Sequence, residues 1–97
     1  MSADASLDRT LHAIADPSRR RILQTLKEAK TSESKGASLC AGDIEERIRL
    51  SQPTISHHMA ILTKAGLVEA TKQGQWRWYR RNEKAIRQVV KSLKGKL

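Results

Sequence analysis

The sequence predicts a mainly helical fold carrying one small β-hairpin, an α+β arrangement. Apolar residues recur at helical spacing in successive segments, which marks amphipathic helices. Trp76, Trp78 and Tyr79 crowd into one stretch just beyond Gly74, in a chain that has no Phe. Residues at home in strands on both sides of a glycine read as a hairpin. At 97 residues the chain has room for one domain, 1–97, around one core.

Leu7, Leu11 and Ile14 follow helical spacing and predict a first helix over about 5–15. Asp16-Pro17 restarts the chain, because Asp is a good N-cap and Pro suits the first helical position. A second helix is expected from Pro17 to Ala29, with Ile22, Leu23 and Leu26 on its apolar face. The small, polar stretch 30–38 lacks apolar periodicity and reads as an exposed loop. A short third helix follows, from Ala41 to Ile48, burying Ile44 and Ile48. Ser51 is placed to cap a fourth helix that tolerates Pro53 in its first turn and is closed by Gly66. Leu67 to Gln73 and Gln75 to Arg81 form the arms of the hairpin. Trp76 and Trp78 share one strand face, expected to pack on the body, and Arg77, Tyr79 and Arg81 share the other. Asn82 then caps a last helix over about 82–94, whose Ile86, Val89, Val90 and Leu93 fall at i, i+3, i+4 and i+7.

A net charge of +9 gives the chain a field that attracts polyanions, nucleic acid first among them. No apolar run reaches the roughly 18 residues of a spanning helix and no segment reads as a signal peptide, so a cytoplasmic location without membrane contact is expected. A single cysteine, Cys40, permits no intrachain disulfide and no multi-thiolate metal site. Neither a paired-carboxylate site nor a Gly-rich phosphate loop is present. Ser56 and His57 are neighbours on a helix and aim apart, so the chain does not read as an enzyme.

The third and fourth helices, joined by Arg49-Leu50-Ser51, have the dimensions of a helix-turn-helix. Four helices, a hairpin and a fifth helix then give the winged form of that fold. Ile55, Met59 and Leu62 form the inner stripe of the fourth helix. Its outward residues are small, polar and uncharged, and Gln52, Thr54, Ser56 and His57 suit the reading of base edges in a major groove. Lys64 at the helix end, with Lys72, Gln75 and Arg77 on the hairpin, is placed to hold the DNA backbone; Arg80, Arg81 and the run Arg19-Arg20-Arg21 add further cations. Leu7, Leu11, Ile86, Val89, Val90 and Leu93 leave more apolar surface than one small core can cover, which predicts a homodimer paired through the first and last helices.

The run from Leu50 to Met59, LSQPTISHHM, continuing through Leu62 to Ala65-Gly66-Leu67-Val68, resembles the recognition-helix signature of the ArsR/SmtB repressors. Leu11 to Ile22, LHAIADPSRRRI, is similar to that family's opening, and Gly74 to Tyr79 to its wing. The resemblance implies a winged-helix homodimer that binds a two-fold symmetric, inverted-repeat operator on double-stranded DNA, usually as a repressor. Metal-sensing members carry two cysteines in a pattern such as Leu-Cys-Val-Cys-Asp. Here the matching residues are Leu39-Cys40-Ala41-Gly42-Asp43, and the last helix has neither Asp nor His. No metal site and no cofactor are therefore expected. Cys40 lies three residues before Asp43, as in a capping box, and reads as a small packing residue. The alternatives are a thiol-responsive repressor acting through Cys40, whose thiolate the helix start stabilises, and a non-specific basic nucleic-acid-binding protein.

Overall fold

The computed structural model describes residues 2–32 and 38–97, with side chains over 6–29 and 38–97. Helix α1 (Ser2–Ile14) is followed by α2 (Pro17–Ser32), a short strand β1 (Leu39–Cys40), α3 (Ala41–Ile48), α4 (Gln52–Lys64), β2 (Val68–Gln73), β3 (Trp76–Arg81) and α5 (Glu83–Lys96).

The turn between α1 and α2 is fixed by its own side chains. Asp16 Oδ2 accepts from the Arg19 N–H at 3.0 Å, capping α2. The α1 carbonyls left open at its C-terminus are filled by arginines: Arg19 donates to His12 O and Ala13 O, and Arg20 to Ile14 O at 2.7 Å. Helix α2 continues past Ala29 to Ser32, so the first part of the expected 30–38 loop is helical; the 33–37 part lies outside the described residues.

Strand β1, two residues long, is absent from the sequence reading. It adds to the outer side of β3, in an antiparallel sheet of order β1-β3-β2. Leu39 pairs with Tyr79 and Cys40 with Trp78, while across the hairpin Ala70 pairs with Tyr79 and Lys72 with Arg77. Such a short strand is specified by its partner and carries no local signal of its own. The hairpin turn places Gly74 at φ 63°, and among the described residues only Gly and Arg49 have positive φ, so Gln75 keeps an ordinary φ. Glycine at the first of two turn residues is what a type II′ hairpin requires.

The register corrects the reading of the wing faces. Leu39, Val68 and Tyr79 lie on one sheet face and are buried in the core, whereas Trp76, on the other face, is 56% exposed. The Tyr79 face packs on the body and the tryptophan face does not. The core joins Ala13, Ile22, Leu26, Leu39, Ile44 and Ile48 to Ile55, Met59, Leu62, Leu67 and Val68. From α1 this core takes Thr10 and Ala13, while its larger Leu7 and Leu11 stay half-buried. Ile86 and Val89 of α5 pack on the edge of the core, and Val90 is 60% exposed.

Candidate DNA-binding surface

Helix α3 ends on Arg49 in the left-handed conformation (φ 62°, ψ 40°), with its N–H bonded to Glu45 O at 2.8 Å. That reversal turns the chain into α4 within three residues, the tight link a helix-turn-helix needs. Ser51 occupies the N-cap position of α4, but its hydroxyl pairs with the Thr54 hydroxyl at 2.9 Å rather than with a backbone N–H. Ile55, Met59 and Leu62 are fully buried and fix the roll of α4 about its axis. At about 1.5–3 kcal/mol for each fully buried side chain of this size, that stripe outweighs every polar contact α4 makes.

The opposite face of α4 is exposed. Gln52, Pro53, Ser56, His57, Ala60 and Lys64 lie on it, with Thr54 on its flank, exposed and tied to Ser51. None of these carries a charge before Lys64 in the last turn, so the uncharged and cationic parts of this face are separated along the helix. A groove of about 290 Å³ between α4 and the wing is lined by Ser56, Ala60, Lys64, Ala70, Arg77 and Tyr79. Ser56, Lys64 and Arg77 therefore converge, although they are far apart in sequence. Gln75 stands at the wing tip, and Lys72 sits directly across β3 from Arg77. Neither Lys72 nor Arg77 has an ion-pair partner among the described residues. Two like charges at one cross-strand position oppose folding, and an anion placed between them relieves this.

Other cations of the sequence reading are already engaged. Arg81 forms a 2.9 Å ion pair with Glu83 and donates to Leu23 O, which anchors the wing's outgoing end to α2 and α5. Arg80 lies 3.6 Å from Glu69 on the exposed face. Arg19 is the clearest correction: grouped with Arg20 and Arg21 among the further cations, it is 7% exposed and makes its bonds inside the protein. Its spacing with Ile22, Leu23 and Leu26 puts it on the core stripe of α2, a signal that its charge masks.

His58, unlike His57, is buried, with Nδ1 3.2 Å from an Arg19 guanidinium nitrogen. A guanidinium has only donors, so Nδ1 must be the acceptor and the ring is neutral. Burial holds the His58 pKa below the ordinary 6.5; Arg19 and His57 act in the same direction and Asp16 opposes them. The His57 and His58 rings are 6.1 Å apart and tilted by 51°, so they do not converge on a common ligand.

Cys40 is half-buried at the N-cap of α3. Asp43 Oδ2 accepts from the Cys40 N–H at 3.3 Å and the Cys40 side chain faces the Asp43 backbone N–H in return, the two halves of the expected capping box; the Cys40 S–H also lies 3.1 Å from Asp43 Oδ2. Among the described residues no three His, Cys, Asp or Glu side chains gather as a metal site, and no helix is long and apolar enough to cross a membrane.

The model of the bacterial regulatory protein arsR family matches residues 16–70, from the α2 cap through the reading helix into the wing. An HTH-type transcriptional regulator of Methanocaldococcus jannaschii is 38% identical over 79 residues, 81% of each chain. The transcriptional repressor SdpR of Bacillus subtilis is 34% identical over 84 residues, covering 87% of this chain and 84% of its own. Among solved structures, an ArsR-like transcriptional regulator from Rhodococcus sp. RHA1 superposes with a TM-score of 0.79 at 26% identity, over 97% of this chain and 81% of that one. A homodimeric winged helix-turn-helix DNA-binding domain from Mycobacterium bovis superposes with a TM-score of 0.76 at 22% identity, over 95% and 79%. With the helix-turn-helix and wing in place, the chain belongs to the arsR family of bacterial regulatory proteins and is a DNA-binding transcriptional regulator.

Proposed function

We propose that the protein is a cytoplasmic, homodimeric repressor that reads an inverted-repeat operator without a metal or other cofactor. The carrying observation is the exposed, uncharged face of α4 set beside a cationic groove. Gln52, Ser56 and His57 contact base edges, with Thr54 at the margin, while Lys64, Lys72, Gln75 and Arg77 hold phosphates and sugar. The half-buried Leu7, Leu11, Ile86, Val89 and Leu93, with the exposed Val90, form the self-complementary surface that a second copy covers. This agrees with the homodimeric assembly of the M. bovis neighbour.

Selection of bound duplexes from a random-sequence library, followed by footprinting, tests the reading. The expected result is an enriched inverted repeat with half-site centres about 34–36 Å apart, or a multiple of that spacing, bound by a dimer in light scattering. Retention of all duplexes alike, or an enriched site without a dyad, would refute it.

A further inference from the structure

Arg19 is the one described side chain that bonds to the end of α1 and to the reading helix at once. Its Nε donates to Ala13 O at 2.6 Å and one terminal nitrogen to His12 O at 3.1 Å, both in the last turn of α1. Its other terminal nitrogen donates to His58 Nδ1 on α4 at 3.2 Å. The guanidinium is rigid and planar, so these three bonds fix where the end of α1 stands relative to α4. Next along the helix from His58 is His57, on the exposed, groove-reading face.

We propose that Arg19 and His58 are a positioning pair that locks the reading helix to the last turn of α1, and that specific DNA binding requires His58 to be neutral. This rests on the DNA-reading role of α4. Protonating His58 gives Nδ1 a hydrogen and sets two donors against each other inside the protein, and the tie is broken. The charged groups facing His58 are Arg19 from α2, His57 from its own helix and Asp16 from the α1–α2 turn; the first two resist its protonation and Asp16 favours it. The apparent affinity for specific DNA follows the fraction of molecules holding the tie, so it falls as pH drops below the His58 pKa, approaching about tenfold per pH unit.

A His58 variant that keeps the acceptor but cannot take up a proton isolates the tie from the rest of the DNA-facing surface. H58N presents a side-chain oxygen near the place of Nδ1 and cannot be protonated, and H58L fills the space without an acceptor.

The measurement is competition between the selected duplex and random duplex, from about pH 7.5 to about pH 5, past the lower side of the ordinary histidine range because burial lowers the His58 pKa, for wild type, H58N and H58L, with thermal melting as a folding control. The wild type is expected to lose its preference for the selected duplex as pH falls. H58N should keep most of the preference and show no such loss, and a folded H58L should have weak preference at every pH. Parallel pH profiles for wild type and H58N would overturn the pairing, as would full preference in a folded H58L. Failure of the wild type to enrich any sequence would instead remove the DNA-reading role on which the pair depends, a separate and earlier result.

Discussion

Helix α4 and the wing tip, the two parts of the proposed DNA-binding surface, are held in opposite ways. Helix α4 has a fully buried side of Ile55, Met59 and Leu62 and is tied to α2 through Arg19 and His58. The tip of the wing, from Thr71 to Arg77, has every side chain exposed and is held by the antiparallel ladder and the Gly74 turn. A firmly packed helix suits base-edge recognition, which depends on hydrogen-bond distance and angle. A lightly held cationic arm suits phosphates, which recur along any duplex and tolerate adjustment.

Stability should expose this difference most sharply. Met59→Ala opens a cavity in a site with no exposure and should cost about 2–5 kcal/mol. Trp76→Ala, at a residue 56% exposed, should stay within about 0.5 kcal/mol. Denaturant unfolding of the two variants checks the pair, and a large destabilisation by Trp76→Ala would mean that its face is covered by something other than solvent.

DNA selectivity should divide in the same place. Replacing Gln52, Ser56 or His57 with Ala should lower the preference for operator over random duplex by about 1–3 kcal/mol for each base-reading hydrogen-bond pair removed. Replacing Lys72 or Arg77 should weaken both duplexes alike and reduce the slope of log affinity against log salt by about 0.9 for each phosphate released. Either wing variant should also gain about 0.2–1 kcal/mol of stability, because the like-charged cross-strand pair is gone. Salt titrations with both duplexes decide the matter, and wing variants that changed sequence preference would reverse the division.

The two regions differ in legibility as well. The helices, the turn at Gly66 and the buried stripe of α4 follow from local spacing and capping, and Asn82 caps α5 as its position suggests, accepting from the Ala85 N–H at 3.1 Å. The wing misleads because register, not residue size, decides which strand face is buried. Tyr79 faces inward with Leu39 and Val68, and the larger tryptophans face away. Arg19 misleads for a related reason, since charge suggests solvent while its helical position places it on the core stripe. Strand β1 has no local signature, because its pairing partners lie about 40 residues away.

The acid response should fall on the reader rather than the wing. The folded-state pKa of His58 lies below 6.5, so between those two values the unfolded chain takes up the proton more readily, and stability falls as pH drops through that window. Asp16, held below 3.8 chiefly by the Arg19 N–H, adds stability that is present above that value and is lost only at more acid pH. Melting temperature followed from about pH 7.5 to about pH 5 should therefore decline in the wild type and flatten in H58N. Equal declines in both proteins would place the titrating group elsewhere.

The smallest expected effect is that of thiophilic metals, and it tests the seam between the two regions. Cys40 pairs with Trp78 of the wing and caps the helix that precedes the reader, so a ligand gathered there would move one region against the other. Tight binding of zinc, cadmium or arsenite needs several deprotonated ligands converging, and among the described residues no third His, Cys, Asp or Glu joins Cys40 and Asp43, the Cys40 S–H donating to that carboxylate. Gly42, which stands at the second cysteine of the Leu-Cys-Val-Cys-Asp pattern that this segment resembles, supplies no thiol. DNA-binding titrations of wild type and Cys40→Ser should therefore coincide in the presence of each metal, with no release from the selected duplex. Peroxide is the informative companion, because oxidation of a thiol needs one sulfur rather than a ligand set. Release by peroxide that Cys40→Ser abolishes would make the seam a redox switch, while stoichiometric release by a metal, abolished in the same variant, would show that a second copy of the chain completes a site this protomer lacks.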